Sequence, residues 1–253
     1  MEQFSIPING SLQLTQQKEM LAFGTDAFLL FAYLRKKSGG RAVELGAGSG
    51  VISLLAASKG KFARITAVEV QPEQARICAE NADANGLSDR MYPLCANVKD
   101  LTASMVGGEV DAVFANPPYM TVGSGKANIS DAKYIARHEV LGTIGDFASA
   151  AARVLKFGGS FYVVWRPDRL PALFSALTNA GLSPKRMTTV HGDASSAPGL
   201  VLVEAKKGGA ADGFFLTRPL LLHEDTKASL LVDTPDCKSI YENGEFPNEY
   251  VRP

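Results

Sequence analysis

Four consecutive residues near the middle of the chain carry groups that could activate a planar nitrogen. Asn116, Pro117, Pro118 and Tyr119 follow an apolar run, 110–115, that predicts a buried strand. The Asn116 side-chain carbonyl and the Pro117 backbone carbonyl can each accept one N–H bond. The prolines fix the backbone so that both acceptors converge, and the tyrosine ring offers a flat face on which a base or amide can stack. The alternative is a proline-stiffened turn with a core tyrosine.

A glycine-rich loop earlier in the chain predicts a ligand site. It lies between a predicted strand, 41–45, and a predicted helix, 50–59. Its glycines allow a tight turn and a close approach to a ligand, although they could also serve the turn alone. The residues assigned to the ligand are Glu44, Gly46, Ala47, Gly48 and Gly50.

The spacing and charge of this loop limit the ligand. Gly-x-Gly-x-Gly differs from the Gly-x-Gly-x-x-Gly of dinucleotide sites, and the Gly-Lys-Ser/Thr of a phosphate-binding P-loop is absent. The carboxylate of Glu44 would be a poor neighbour for a pyrophosphate. A zwitterionic or cationic ligand suits it better.

The next two predicted strands end in polar residues. Glu69 and Val70 end the strand 63–70, and a carboxylate there can accept hydrogen bonds from both ribose hydroxyls of a nucleoside. Asn97 and Val98 follow the strand 91–95, where an amide could bond an adenine edge. This order of motifs resembles that of the class I S-adenosylmethionine methyltransferases: a glycine loop, then an acidic strand end, then a polar strand end.

That resemblance explains the residue types of the later motif. An adenine amino group is a poor nucleophile because its lone pair is delocalised, so it must become pyramidal to attack a sulfonium methyl. Acceptors at Asn116 and Pro117 favour the developing sp³ nitrogen and its positive charge. The nitrogen becomes far more acidic once methylated, so water can take the proton and no metal is required.

The segment before the first predicted strand of the sheet supports the same group. It runs from Phe23 to Leu30 and resembles the cap that folds over the cofactor in amino-methyltransferases with this motif. The resemblance implies that Thr25, with Asp26, helps hold the methionine carboxylate. A helix N-cap at Thr25 or Asp26 is the alternative, and both can be true together.

Most of the chain resembles one subfamily, the bacterial tRNA(Val) (adenine-N6)-methyltransferases. Arg137 and His138 after the motif, and the run 201–209, add to the likeness. It implies a tRNA substrate, methylated at the adenosine next to the anticodon, and substrate contacts from Tyr119, Arg137 and His138. A structural salt link between Arg137 and Glu139 is the alternative.

Three rival functions remain. Protein glutamine N5-methyltransferases resemble the chain around Asn116, but they carry a helical domain that about 40 preceding residues cannot form. DNA adenine methyltransferases often have Asp in place of Asn116 and carry a separate target-recognition region. The third rival is a catalytically silent module that binds cofactor or RNA.

The elements around these motifs predict an α/β fold. Strands alternate with helices, which predicts a Rossmann-like, doubly wound, mostly parallel seven-stranded sheet. Its last two strands, 185–190 and 199–205, lack a helix between them and predict an antiparallel edge hairpin. We divide the chain into a cap segment, a methyltransferase domain and a loosely structured extension, at 1–40, 41–208 and 209–253.

The overall composition is that of a globular domain without a strong charge bias. There are 26 basic and 26 acidic residues, which lacks the basic excess of a protein that wraps duplex DNA. The three cysteines have no metal-like spacing, and no apolar run is long enough for a bilayer. We expect a cytoplasmic protein with no metal and no membrane partner.

Overall fold

The structure is a computed structural model, and it describes residues 3–8, 12–17, 24–117, 142–227 and 230–251. Two short strands come first, β1 (Gln3–Ile8) and β2 (Leu12–Gln17), and they pair as an antiparallel hairpin. The remaining strands form one sheet with helices on both of its faces.

Alternation of strand and helix produces the parallel part of the sheet. The elements in chain order are α1 (Thr25–Tyr33), β3 (Lys37–Leu45), α2 (Val51–Ser58), β4 (Phe62–Glu69), α3 (Pro72–Ala84), β5 (Met91–Cys95), β6 (Val110–Ala115), α4 (Ile144–Val154), β7 (Leu155–Trp165), α5 (Leu170–Asn179), β8 (Leu182–His191) and β9 (Pro198–Lys207). Strands β3 to β7 are parallel to their neighbours in this set, while β9 lies antiparallel between β7 and β8. The predicted fold class is therefore confirmed.

The order of the strands places the switch point of the sheet at β3. It runs β10 (Phe215–Leu216), β8, β9, β7, β6, β3, β4, β5, with the short strand β11 (Leu220–Leu221) also paired to β8. The chain first builds outward from β3 through β4 to β5 and then continues on the other side with β6. Ligands of open α/β sheets bind at such a point, beyond the carboxyl ends of the strands.

Side chains of each strand alternate between the two apolar layers. Ala42 and Phe114 face the layer that contains α1, α2 and α3, whereas Val43 and Val113 face the layer that contains α4 and α5. Because strand side chains point to opposite faces in turn, both surfaces of the sheet are buried. This explains why the predicted strands are nearly continuous apolar runs.

The apolar residues after Thr25 predict a helix over 25–36, ended by the glycines that follow it, but the observed helix is shorter. Helix α1 ends at Tyr33, and Ser38, Gly39 and Gly40 belong to β3 instead of terminating a helix. The buried ammonium of Lys61 donates to the carbonyls of Ala32 and Leu34 at the end of α1. This cap comes from a distant strand and leaves no local pattern in the helix sequence.

The expectation of a loosely structured extension after residue 208 was wrong. Strands β10 (Phe215–Leu216) and β11 (Leu220–Leu221) pair in parallel with β8, and helix α6 (Pro235–Asn243) packs near α1. The apolar residues that bury this segment are Leu220, Ile240, Phe246 and Tyr250. Their wide spacing shows no period of a helix or strand, which is why the sequence did not predict the packing.

Candidate active site

Asn116 and Pro117 lie directly beside the start of the glycine loop. They follow β6, which pairs in parallel with β3 so that Ala115 is opposite Leu45. The residues after each strand therefore emerge side by side at the carboxyl edge. The sheet brings together the two motifs that the sequence separates by about 70 positions.

The glycine loop folds back over the end of β4. The backbone N–H groups of Gly46 and Ala47 both donate to the Val68 carbonyl, each at 2.9 Å. Gly46, Gly48 and Gly50 all have positive φ, between 54° and 83°, where residues with a Cβ are strained. The loop conformation is thus set by its glycines.

Two of these glycines have different surroundings. A Cβ on Gly50 would lie 2.4 Å from the Met91 methyl and 2.5 Å from the Cys78 sulfur, so the helix start packs tightly there. A Cβ on Gly48 would meet no atom of the described residues within 4 Å. The middle of the loop therefore presents bare backbone to open space, as a cradle for a ligand requires.

Glu44 lies beneath this loop. Its Oε2 accepts hydrogen bonds from the backbone N–H of Ser53, at 2.9 Å, and from the Ser53 hydroxyl. Only 2% of the residue is exposed, and burial raises the pKa of this carboxyl to about 8. The structure places Glu44 where it holds the first turn of α2 in position under the loop.

The Glu69 carboxylate connects the glycine loop to the start of α3. Its Oε2 accepts from the backbone N–H of Gly48 and its Oε1 from that of Gln71, both at 2.9 Å. Each oxygen has a second lone pair that can accept a hydroxyl. The neighbouring Val70 is half-buried.

Asn97 follows β5, one strand further from the centre. Its Oδ1 accepts from the backbone N–H of Lys99 at 3.0 Å, which closes a local turn. The Nδ2 group is the donor end of this amide and can bond an acceptor nitrogen of a base. Val98, the next residue, is buried in the layer of α4 and α5.

Asp26 contacts Asn116, the first residue of the candidate catalytic motif. The Asn116 Nδ2 donates to Asp26 Oδ2 at 3.0 Å, and the backbone N–H of Ala27 donates to Asp26 Oδ1 at 2.8 Å. This contact assigns the two ends of the Asn116 amide, so that its Oδ1 points away from Asp26. The sequence indicated Asp26 only as a cofactor residue, and the pairing spans 90 positions.

Thr25 lies next to the C-terminal helix. Tyr241 of α6 stacks its ring on Phe28 in the first turns of α1, with ring centroids 4.6 Å apart. The N-cap of α1 is Gly24, and it makes no side-chain cap bond, so the N-cap predicted at Thr25 or Asp26 was wrong. The segment after residue 208 thus supports the entrance of α1.

The N-terminal hairpin is also tied to the glycine loop. Asn81 of α3 pairs with both backbone groups of Thr15 in β2, and its Nδ2 donates to the Ser49 carbonyl at 2.9 Å. Gln16 Nε2 donates to the Ser49 hydroxyl at 3.3 Å. These residues were not predicted; their signal in the sequence is a pair of asparagines four positions apart, Asn81 in α3 and Asn85 directly after it.

Four of the predicted site residues lie outside the described residues: Pro118, Tyr119, Arg137 and His138. Those that are described converge on the ends of four neighbouring strands. Asn116 follows β6, the glycine loop follows β3, Glu69 ends β4 and Asn97 follows β5. Such an arrangement can hold an extended nucleoside across the strand ends and a second planar group beside Asn116.

A protein-family model matches more than half of the chain. Residues 18–176 match the methyltransferase small domain. The chain belongs to this family. A relative from Shewanella amazonensis, named tRNA1(Val) (adenine(37)-N6)-methyltransferase, is 31% identical over 73% of this chain and 77% of its own length. A relative of the same name from Phocaeicola vulgatus is 30% identical over 72% and 76%.

A solved structure supports the fold of this methyltransferase. The likeness is to an Agrobacterium tumefaciens protein named a predicted O-methyltransferase, with a TM-score of 0.68 and 23% identity over 88% of this chain and 97% of that one. At this identity the likeness concerns the fold. In the described ranges, no helix is both long and apolar enough to cross a membrane, and no group of three or more His, Cys, Asp or Glu could hold a metal ion.

Proposed function

We propose that the chain transfers the methyl group of S-adenosylmethionine to the N6 amino group of an adenosine in tRNA. This is the reaction for which its curated relatives are named, and they place the adenosine at position 37 of tRNA1(Val). The observation that carries the proposal is the Asn116 amide, oriented by Asp26 next to the glycine loop. We place this activity in the cytoplasm, where tRNA is modified.

The described residues fit S-adenosylmethionine. The bare backbone at Gly48 admits a ligand, and Glu69 lies where ribose hydroxyls would bind. We assign the adenine edge to Asn97 and the methionine carboxylate to the helix start at Thr25, where backbone N–H groups and the helix dipole favour an anion. When bound, the cofactor supplies an electrophilic methyl group on its sulfonium.

The chain's own residues then act on the amino group. Asn116 Oδ1 and the Pro117 carbonyl each accept one N–H, which holds the nitrogen lone pair in line for attack. Asp26 keeps the amide from rotating and adds a negative charge behind it, which favours the positive charge that develops on the nitrogen. Tyr119 stacks on the base, and Arg137 and His138 contact the RNA.

We also propose that three segments of the chain have separate roles. Residues 1–40 form a cap over the cofactor, 41–208 the catalytic domain and 209–253 an extension that steadies α1. The hydrogen bond from Gln16 of β2 to Ser49 and the stacking of Tyr241 on Phe28 support this division.

Transfer of radiolabelled methyl to unfractionated bacterial tRNA, followed by nucleoside analysis, tests the function. We expect the label in N6-methyladenosine. A peptide with a Gly-Gly-Gln segment, assayed in parallel, tests glutamine methylation. Label in the peptide and none in tRNA would overturn the proposal, and cofactor binding with no transfer to either would indicate a silent module.

A further inference from the structure

A cleft of about 280 Å³ lies at the opposite end of the sheet from the glycine loop. The amino-terminal ends of β3, β6 and β7 form its floor, together with the last residues of β9. The carboxyl ends of these parallel strands carry the candidate active site instead. The cleft is therefore a separate feature, about 20 Å away, which is the length of the seven residues of β4 that pair with β3.

The charge of the cleft differs from that of the whole chain. Basic and acidic residues balance over the full sequence, but the cleft contains five cationic side chains and two carboxylates. The cations are Arg35, Lys36, Lys37, Lys156 and Lys206, and the carboxylates are Asp111 and Glu204. The surplus of three positive charges attracts an anion.

Ion pairs fix some of these cations in the walls. Lys37 and Lys156 share one oxygen of Asp111, at 2.8 and 3.1 Å, so a single carboxylate faces two ammonium groups. Lys36 and Lys206 are exposed, and the described part of the chain offers them no ion pair. These two lysines can therefore contact an incoming phosphate without breaking a described ion pair.

An exposed aromatic ring stands at the rim. Phe157 is 82% exposed and follows Lys156 in the irregular first part of β7, which continues with Gly158 and Gly159. Its ring rests against the backbone of Gly208, where a Cβ would lie only 2.1 Å from it. A flat ring held in solvent beside lysines is the arrangement on which unpaired bases stack.

We propose that this cleft is a second contact point for RNA, which binds backbone phosphates at Lys36 and Lys206 and stacks a base on Phe157. The inference rests on the proposed function, since it makes the cleft a recognition surface for the tRNA. A domain that binds duplex RNA can span about 16 base pairs, so one tRNA can reach both ends of the sheet. The surface supplies affinity, whereas the active site supplies the chemistry.

The test compares a double variant, Lys36→Gln/Lys206→Gln, with a matched control, Lys238→Gln, on an exposed lysine of α6 outside the cleft. Binding of fluorescent tRNA is measured by anisotropy at several salt concentrations. We expect the double variant to bind about tenfold more weakly and to lower the slope of log Kd against log salt by about 1.5 to 2. The control should match the wild type in both quantities.

Further readouts separate the possible failures. Phe157→Ala should weaken tRNA binding by about tenfold with an unchanged salt slope, because stacking releases no counterions. The double variant should keep the wild-type rate at saturating tRNA. An unchanged Kd and slope in the double variant would overturn the proposal. Pyrophosphate binding, measured by calorimetry, gives a second test. If the double variant loses pyrophosphate binding but binds tRNA as the wild type does, the cleft is a site for a small anion and the proposal is overturned. If the wild type binds tRNA through the cleft but methylates none, the proposed function fails while the cleft assignment stands.

Discussion

Two glutamates are buried equally deeply in this protein but have opposite surroundings. Glu44, beneath the glycine loop, is 2% exposed and is held by the N–H and hydroxyl of Ser53. Glu204, in β9, is 1% exposed and lies 3.0 Å from both Arg35 and Arg186. One carboxyl therefore has neutral partners and the other has two cations.

The surroundings indicate different roles. The arginines around Glu204 also donate to the backbone of other segments, Arg186 to the Tyr33 and Tyr250 carbonyls and Arg35 to the Val251 carbonyl. Glu204 thus joins α1, β8 and the end of the chain in one buried network. Glu44 joins β3 to α2 beneath the glycine loop. We infer that Glu204 holds the fold together and that Glu44 shapes the site.

The largest effect should come from Glu204→Ala. Removing this carboxylate leaves Arg186 buried without its ionic partner, which typically costs about 3–5 kcal/mol. We expect that loss in the free energy of unfolding, measured by urea titration. As a control, Glu204→Leu/Arg186→Met removes both charges, and it should be less destabilised than the single variant. If the double variant loses as much free energy of unfolding as Glu204→Leu and Arg186→Met lose in sum, the proposed network is contradicted.

A smaller effect is expected for Glu44→Ala. The substitution leaves the Ser53 N–H and hydroxyl without their acceptor, which costs about 1–3 kcal/mol for a buried polar group. Because these groups hold the start of α2, binding of S-adenosylmethionine should weaken as well. Calorimetric titration of the cofactor measures this, with Glu204→Leu/Arg186→Met as the control. Equal cofactor affinity in Glu44→Ala and the wild type would argue against a role for Glu44 in shaping the loop.

The smallest step, about 1 kcal/mol for each pH unit, is expected in the pH dependence of Glu44→Gln. The folded-state pKa of Glu44 is raised from 4.5 to about 8, so the folded protein keeps a proton that the unfolded chain releases. The stability due to this proton is fully present below pH 4.5 and is lost as the pH rises through 8. Glutamine does not titrate, so the variant should gain on the wild type by about 1 kcal/mol per pH unit between pH 5 and 8. A difference in free energy of unfolding between Glu44→Gln and the wild type that stays constant from pH 5 to 8 would contradict the raised pKa.

The sequence predicted what depends on local patterns. Apolar runs and glycines located strands β3 to β9, and the order of motifs indicated that Asn116 would emerge next to the glycine loop. The hairpin of β8 and β9 followed from the missing helix between them. These features are repeated regularities of strand and helix, so they are visible without knowledge of tertiary contacts.

Contacts between distant residues were not predictable in this way. Asp26 meets Asn116 across 90 positions, and Arg35 meets Glu204 across 169. A charged residue in a sequence looks the same whether it will be buried or solvated. The packing of α6 and the position of Glu44 under its loop were missed for the same reason, since each depends on partners from other elements.

We propose that Asp26 acts on catalysis through the Asn116 amide. A double-mutant cycle with Asn116→Ala, Asp26→Ala and the combined variant tests it, with single-turnover methylation of tRNA as the readout. Calorimetry establishes that each variant is saturated with cofactor, and Asn243→Ala, an exposed asparagine of α6, is the control. We predict losses of about 100-fold for Asn116→Ala and about tenfold for Asp26→Ala. The combined variant should be no slower than Asn116→Ala alone, whereas a loss of about 1000-fold would show that the two residues act independently and contradict the account.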